Sequence, residues 1–169
     1  LEKKEVIEYI DGDLIKLAQE GHFDIVVHGC NCFSTMGAGI APQMAKAFGC
    51  DKFRMEREGP TINKLGNIDY KYCDVCFSEK SNYDKQVAVV NAYTQYKYGK
   101  NHSDGDVEPF DYEAFTVCMR KINQIFVSGK TIGMPKIGAG LAGGDWNRIE
   151  KIIEKELSNL KVIVVNYKP

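Results

Sequence analysis

The chain has 169 residues, of which 44% are hydrophobic and 27% charged, and its 22 Lys+Arg against 23 Asp+Glu leave a formal net charge of −1. A length of this order suits one domain, here residues 1–169, and buries roughly 70% of the unfolded surface. The balance of charge counts against a dedicated nucleic-acid or anionic-membrane binder, which carries a basic excess. No apolar run approaches the roughly 20 residues that span a bilayer. The charged start, Leu1-Glu2-Lys3-Lys4-Glu5, has no secretory apolar core. A cytoplasmic location is therefore expected, and without a heptad or a long apolar edge nothing predicts more than a monomer.

In chain order, Val6 to Ile10 is a β-rich run, and Leu14 to Gln19 has helical spacing ended at Gly21. Asp24 to Cys30 is almost continuously apolar and β-branched, the pattern of a central strand buried on both faces. The segments Ile40–Phe48 and Asp51–Glu58 read as helices, the second one charged. Ile68–Val75 and Gln86–Thr94 read as strands, followed by a long polar loop from Tyr96 to Glu108. Asp111–Phe126 is an amphipathic helix, Thr131–Ile137 a strand, Asp145–Leu157 a helix and Val162–Tyr167 a last strand. Alternating strands and helices predict an α/β fold of three layers, with helices on both sides of a mixed central sheet of about six strands.

The chain holds 6 cysteines. Cys73 and Cys76 form a C-x-x-C and Cys30 and Cys32 a C-x-C, but a zinc site wants four ligands at paired spacings, so no metal is expected. The bland reading of most of these residues is small, buried and apolar.

Two glycine-rich loops carry the chemistry. Asn31 to Ile40 leaves a buried strand and enters a helix, and Gly138 to Gly144 does the same. Glycine permits positive φ and close approach of backbone N–H groups, and a helix N-terminus favours an anion. Two such loops at one sheet edge could clamp a diphosphate from both sides. Neither is a P-loop, because no Lys-Ser or Lys-Thr follows. Gly138-Ala139-Gly140-Leu141-Ala142-Gly143 matches the letters of a dinucleotide fingerprint, but too little chain follows it for a Rossmann half.

These residues resemble a known family. Gly12-Asp13-Leu14, then Val27-His28-Gly29-Cys30-Asn31 with Met36-Gly37-Ala38-Gly39-Ile40-Ala41, then Met134-Pro135-Lys136-Ile137-Gly138-Ala139-Gly140-Leu141, are similar to the three motifs of macro domains. The resemblance runs from about Val6 to Tyr167 and implies a cleft for ADP-ribose, with no further cofactor. It implies that Asp13 meets the adenine amino group and Asn31 the distal ribose. Gly37, Ala38 and Gly39 would line that ribose and the diphosphate. Gly138, Ala139, Gly140, Leu141 and Ala142 would wrap the diphosphate by backbone N–H. Tyr167 would lie against the adenine, and Leu14, Met36 and Ile40 would complete the ligand contacts. Each polar residue also has a plainer role: Asp13 suits a helix N-cap, and Asn31 can hold its own turn.

Family membership does not choose an activity. The run His28-Gly29-Cys30-Asn31-Cys32 most resembles ADP-ribose 1″-phosphate phosphatases of fungal type. Related glycohydrolases use a lysine after the central strand and an aspartate in the second loop, where this chain has Gln95 and Ala142. Another hydrolase class places an acid soon after the first loop, where Ala41, Pro42 and Gln43 stand. For a phosphatase the remaining candidates are His28 and Asp145 for proton transfer and Asn31 for positioning. The plainer roles are a core position for His28 and a helix cap for Asp145. The alternatives are removal of ADP-ribose from a macromolecule and a non-catalytic reader of ADP-ribose. Tyr93, Tyr96 and Tyr98 mark the exit from the central strand, as an aromatic wall over the ligand or as part of the surface; His102 and Asp104 in the following loop could reach a cleft, and Trp146 should pack the last helix on the sheet.

Overall fold

The computed structural model describes residues 7–75, 85–97, 109–140 and 142–168. Six strands form one mixed sheet: β1 (Ile7–Gly12), β2 (Ile25–Asn31), β3 (Ile68–Val75), β4 (Lys85–Gln95), β5 (Thr131–Met134) and β6 (Lys161–Tyr167). Their order across the sheet is β1-β6-β5-β2-β4-β3. Every neighbouring pair is parallel except β3 with β4, which is antiparallel. Five strands therefore end on the same edge.

The helices are α1 (Leu14–Gln19), α2 (Ala41–Phe48), α3 (Arg54–Arg57), α4 (Tyr112–Ile125) and α5 (Trp146–Glu156). Side chains alternate across each strand. Ile25 and Val27 of β2, with Ala88 and Val90 of β4, meet Phe115, Met119 and Ile122 of α4 and Ile149 and Ile153 of α5. Val26, Val87 and Val89 face the other way, onto Leu14 and Ala18 of α1 and Met44 of α2. The sheet is thus covered on both faces, which gives the expected three-layer α/β/α fold and explains why β2 and β4 lack a polar face.

Local chemistry sets the helix ends. Asp13, Asp111 and Asp145 are N-caps of α1, α4 and α5, each accepting from backbone N–H groups of the first turn. Gly49 closes α2 in the left-handed region at φ 68°.

Three elements differ from the sequence reading. The charged helix expected over Asp51–Glu58 is broken into a 3-10 turn, Cys50–Lys52, and α3, because Phe53 between them is extended and inserts into the core. A further 3-10 turn, Ile62–Lys64, was not expected. β5 stops at Met134, since Pro135 has no N–H to donate to a ladder. Most of the polar loop, with Tyr98, His102 and Asp104, lies outside the described residues, as do Cys76 and Leu141. No helix among the described residues is long and apolar enough to cross a membrane.

Gly133 of β5 shows how closely the layers approach. A Cβ there would lie 2.7 Å from the ring of Phe23, which is fully buried. Gly133→Ala should therefore lower stability by about 1–3 kcal/mol through overpacking. Urea denaturation checks this, and an unchanged midpoint would refute it.

Candidate functional site

The parallel strand ends build one cleft from two adjoining cavities. The first, of about 490 Å³, is lined by Asp13, Leu14 and Lys16 at the start of α1, by Tyr167 at the end of β6, and by Ile40 and Pro135. The second, of about 660 Å³, lies between the glycine loops and shares Ile40 and Pro135 with the first. Its walls include Asn31, Thr35, Met36 and Gly37–Gly39 on one side, and Lys136, Gly138, Gly140 and Ala142 on the other, with Thr94 and Gln95 of β4 at the end.

The structure brings together most of the residues expected to contact ligand. Asp13, Leu14, Tyr167 and Ile40 line the first cavity. Asn31, Met36, Gly37, Ala38, Gly39, Gly138, Gly140 and Ala142 line the second. Ala139 is absent from that lining, and its N–H is turned inward to the Lys136 carbonyl at 3.3 Å. Sequence reasoning missed Lys16 and Lys46 in the first cavity, and Thr35, Thr94 and Lys136 in the second. Helical spacing could have found Lys16, which stands one turn into the helix that Asp13 caps.

Asp13 has two roles that are compatible. Its Oδ1 accepts from the N–H groups of Ile15 and Lys16 at 3.0 and 3.1 Å, which leaves Oδ2 without a partner among the described residues. Tyr167 is 70% exposed, so its ring offers a free face at the cleft mouth.

Asn31 organises the first loop. Its Oδ1 accepts from the N–H of Phe33 at 2.9 Å, and its Nδ2 donates to the Thr35 carbonyl at 2.9 Å. The turn role is therefore real, and the residue also faces the cavity. Ahead of α2 no side chain among the described residues caps the helix, and Ile40 occupies the cap position. Pro42 has no N–H to offer, so in the first turn the N–H groups of Ala41 and Gln43 are those left for an anion.

The second loop folds on itself. Gly144 N–H donates to the Gly138 carbonyl at 2.7 Å, and Gly143 N–H to the Gly140 carbonyl at 3.0 Å. The N–H groups of Gly140 and Ala142 have no acceptor among the described residues. Gly138 must be glycine: its φ is +79°, and a Cβ would meet the Phe110 ring at 2.5 Å. Gly29 under the first loop is constrained too, since a Cβ would lie 2.9 Å from Thr94 Oγ1 and 3.0 Å from Ile137 Cγ2.

Of the three residues expected to do chemistry, only Asn31 lines the cleft. His28 points to the α1/α2 side of the sheet and is completely buried. Its Nε2 lies 2.7 Å from Asn91 Oδ1, and Asn91 Nδ2 donates to the Cys50 carbonyl at 2.9 Å. Because Asn91 presents its oxygen, Nε2 carries the proton and donates, and Nδ1 has no partner among the described residues. Burial pushes the His28 pKa down to about 4, against a smaller opposing effect of the Asn91 bond. Sealed in this way, the imidazole has no path to a proton in the cleft. Asp145 is exposed at the rim and spends Oδ1 on the Asn147 N–H at 3.0 Å, outside the cavity lining. The pair expected to share proton transfers is thus not brought together at the cleft.

The cysteines near the cleft are poor nucleophiles. Burial pushes Cys32 up to about 11 and Cys50 up to about 12, and raises Cys30 strongly. Tyr93, expected as a cleft wall or surface residue, is fully buried, whereas Tyr96 stacks obliquely on Phe33 with centroids 5.0 Å apart. Trp146 packs against the α4/α5 core and meets Tyr9 edge-on.

The fold is the one seen in macrodomain structures. The macrodomain of Thermus aquaticus DarG superimposes with a TM-score of 0.63 at 21% identity, covering 96% of this chain and 98% of that one. An uncharacterized 17.5 kDa protein from the tk-vs intergenic region of phage T4 is 35% identical, over 97% of this chain and 98% of its own length, and the chain belongs to its family. An ADP-ribose 1″-phosphate phosphatase of Meyerozyma guilliermondii is 27% identical over 94% of this chain and 98% of its own length. No protein-family model matches the chain.

His28 carries a pH dependence. Its folded pKa of about 4 lies below the ordinary 6.5, so the unfolded chain takes up a proton first as pH falls. The stability it contributes is complete above pH 6.5 and is lost as pH drops toward 4, by about 3 kcal/mol. His28→Gln should flatten that part of the profile of urea midpoint against pH. Parallel profiles for the two proteins would show that His28 does not titrate this way.

Proposed function

We propose that the cleft binds ADP-ribose, and that the chain removes the phosphate of ADP-ribose 1″-phosphate. The observation that carries the reading is the continuous double cavity. One end has an acidic cap residue and an exposed aromatic ring, the middle has two glycine loops with free N–H groups, and the other end has Asn31. Adenine suits Asp13 and Tyr167, the diphosphate suits Gly37–Gly39, Gly138, Gly140 and Ala142, and the distal ribose suits Asn31. Leu141, expected among the diphosphate contacts, belongs to the same loop. The similarity to the Meyerozyma enzyme supports the phosphatase step. In that step water adds to phosphorus, the bond to the ribose oxygen breaks, and that oxygen takes a proton. Inorganic phosphate and ADP-ribose leave.

Asn31 holds the distal ribose in this reading. Asp145, at the end of the second loop with Oδ2 free of the cap bond, is the candidate to orient water, and His28 supports the strand beneath. Gln95 and Ala142 both line the second cavity, so the positions where a glycohydrolase would need lysine and aspartate are in place without those side chains. That counts against release of ADP-ribose from a macromolecule. A reader without catalysis is favoured by a different fact: the described lining of the second cavity holds no carboxylate or imidazole.

Calorimetric titration with ADP-ribose, then phosphate release from ADP-ribose 1″-phosphate, separates these readings. Binding with release is expected. Binding without release leaves the reader, and no binding refutes the ligand. Asn31→Ala should weaken ADP-ribose roughly tenfold or more. Asp145→Ala should abolish release while keeping affinity, with about 1 kcal/mol of stability lost from the cap. If only stability falls, Asp145 is a cap and nothing more.

A further inference from the structure

The first glycine loop contains a strained residue that is not glycine. Ser34 sits at φ 59°, alone among the described non-glycine residues in the positive region. Such a conformation persists only where the surroundings over-determine it. Directly behind it lies Lys64, on the 3-10 turn Ile62–Lys64, with its side chain 1% exposed. Its Nζ donates to Ser34 Oγ at 2.6 Å and lies 3.9 Å from Glu56 Oε2 on α3. The Tyr93 hydroxyl donates to that same Glu56 oxygen at 2.9 Å, and the ammonium stands 5.6 Å from the Tyr93 ring centroid.

The chain of contacts joins two walls of the second cavity. Ser34 lies between Asn31 and Thr35, whose side chains bond each other and face the cleft. Tyr93 immediately precedes Thr94 and Gln95, which face it from β4. Ser34, Lys64, Glu56 and Tyr93 therefore form a buried strut from one wall to the other. An ion pair taken out of water is a poor route to stability alone, because desolvation offsets the attraction. Its geometric effect is specific: it fixes where Ser34 sits, and through the Asn31–Thr35 bonds the shape of the loop.

We infer that Lys64 is a positioning residue for the distal half of the cleft, holding the first glycine loop at the separation from β4 that the distal ribose requires. The inference rests on the ADP-ribose reading. Lys64 is sealed beneath the loop, so it acts through Ser34 and not by touching ligand. The first cavity shares no member of the strut.

The test compares two ligands of different length. AMP fills the adenine half alone, whereas ADP-ribose spans both cavities. Calorimetric titrations would be run on the wild-type chain, on Lys64→Met combined with Glu56→Gln, and on Ser34→Ala. The double change removes both charges together and keeps a partner for the Tyr93 hydroxyl. Ser34→Ala leaves the ion pair intact, so it decides the matter should the double variant not fold. In both variants ADP-ribose affinity is expected to fall, roughly tenfold for the double change, with AMP affinity within about twofold of wild type. Unchanged ADP-ribose affinity overturns the inference, as does an equal loss for both ligands. A wild-type chain that binds neither ligand overturns the reading of the cleft itself, and this inference with it.

Discussion

Every feature of the cleft depends on five parallel strands ending on one edge in the order β1, β6, β5, β2, β4. That order turns residues far apart in sequence into a line. From β1 comes Asp13, from β6 Tyr167, from β5 Pro135 and the second glycine loop, from β2 Asn31 and the first, and from β4 Thr94 and Gln95. β2 and β5 are direct neighbours, so their loops face each other across the width of a strand pair. A long ligand with a base at one end and a sugar at the other, as proposed, would find matched chemistry along the edge, in the sequence of its own parts. Parallel pairing is what makes this possible: an antiparallel neighbour would send its loop to the far side. β3 is antiparallel and contributes no residue to either cavity.

Burying β2 and β4 on both faces has a cost that the molecule meets with a few paired polar groups. His28 and Asn91 stand opposite one another in register and bond across the strands. Behind the first loop, Glu56 of α3, Lys64 of a 3-10 turn and Tyr93 of β4 pair with one another. Such groups are expensive if broken and specify one arrangement when satisfied. They lie beneath the cleft rather than in it, where they hold the strand ends that the ligand would touch. The orphans are informative in this light: Thr94 Oγ1 and His28 Nδ1 are buried without partners among the described residues, one at the cavity wall and the other in the core behind it.

The layers, the strand count and both glycine loops were legible in the sequence, because buried parallel strands and strand-to-helix glycine runs leave strong local patterns. The direction of His28 was not. A strand that is apolar on both faces gives no periodic cue to which face sees the cleft, and position 28 falls on the closed side. Asn31, three residues on, falls on the opposite face by alternation and is the last residue of the strand, where the cleft begins. Lys64 and Glu56 were hidden for another reason. A charged segment with Arg54, Glu56, Arg57 and Glu58 reads as a solvated helix, and only the insertion of Phe53 into the core turns Glu56 inward. Both misreadings come from tertiary packing overriding a local pattern.

The division of labour along the edge bears on how activity is set in such a fold. Diphosphate recognition would rest on backbone N–H groups held by glycine geometry, which no side-chain substitution at the cavity wall need disturb. What the site does to the distal ribose would rest on a few side chains at strand ends: Asn31, Thr35, Gln95 and whatever the second loop presents. These positions lie outside the core, since Asn31 and Gln95 are the last residues of their strands and Thr35 stands within a loop. Chemistry can therefore change there at little cost to stability, while binding persists. The strut behind the first loop is the exception, because it links the shape of the distal end to groups buried in the core, and it is there that altered chemistry at the cleft would be felt by the fold.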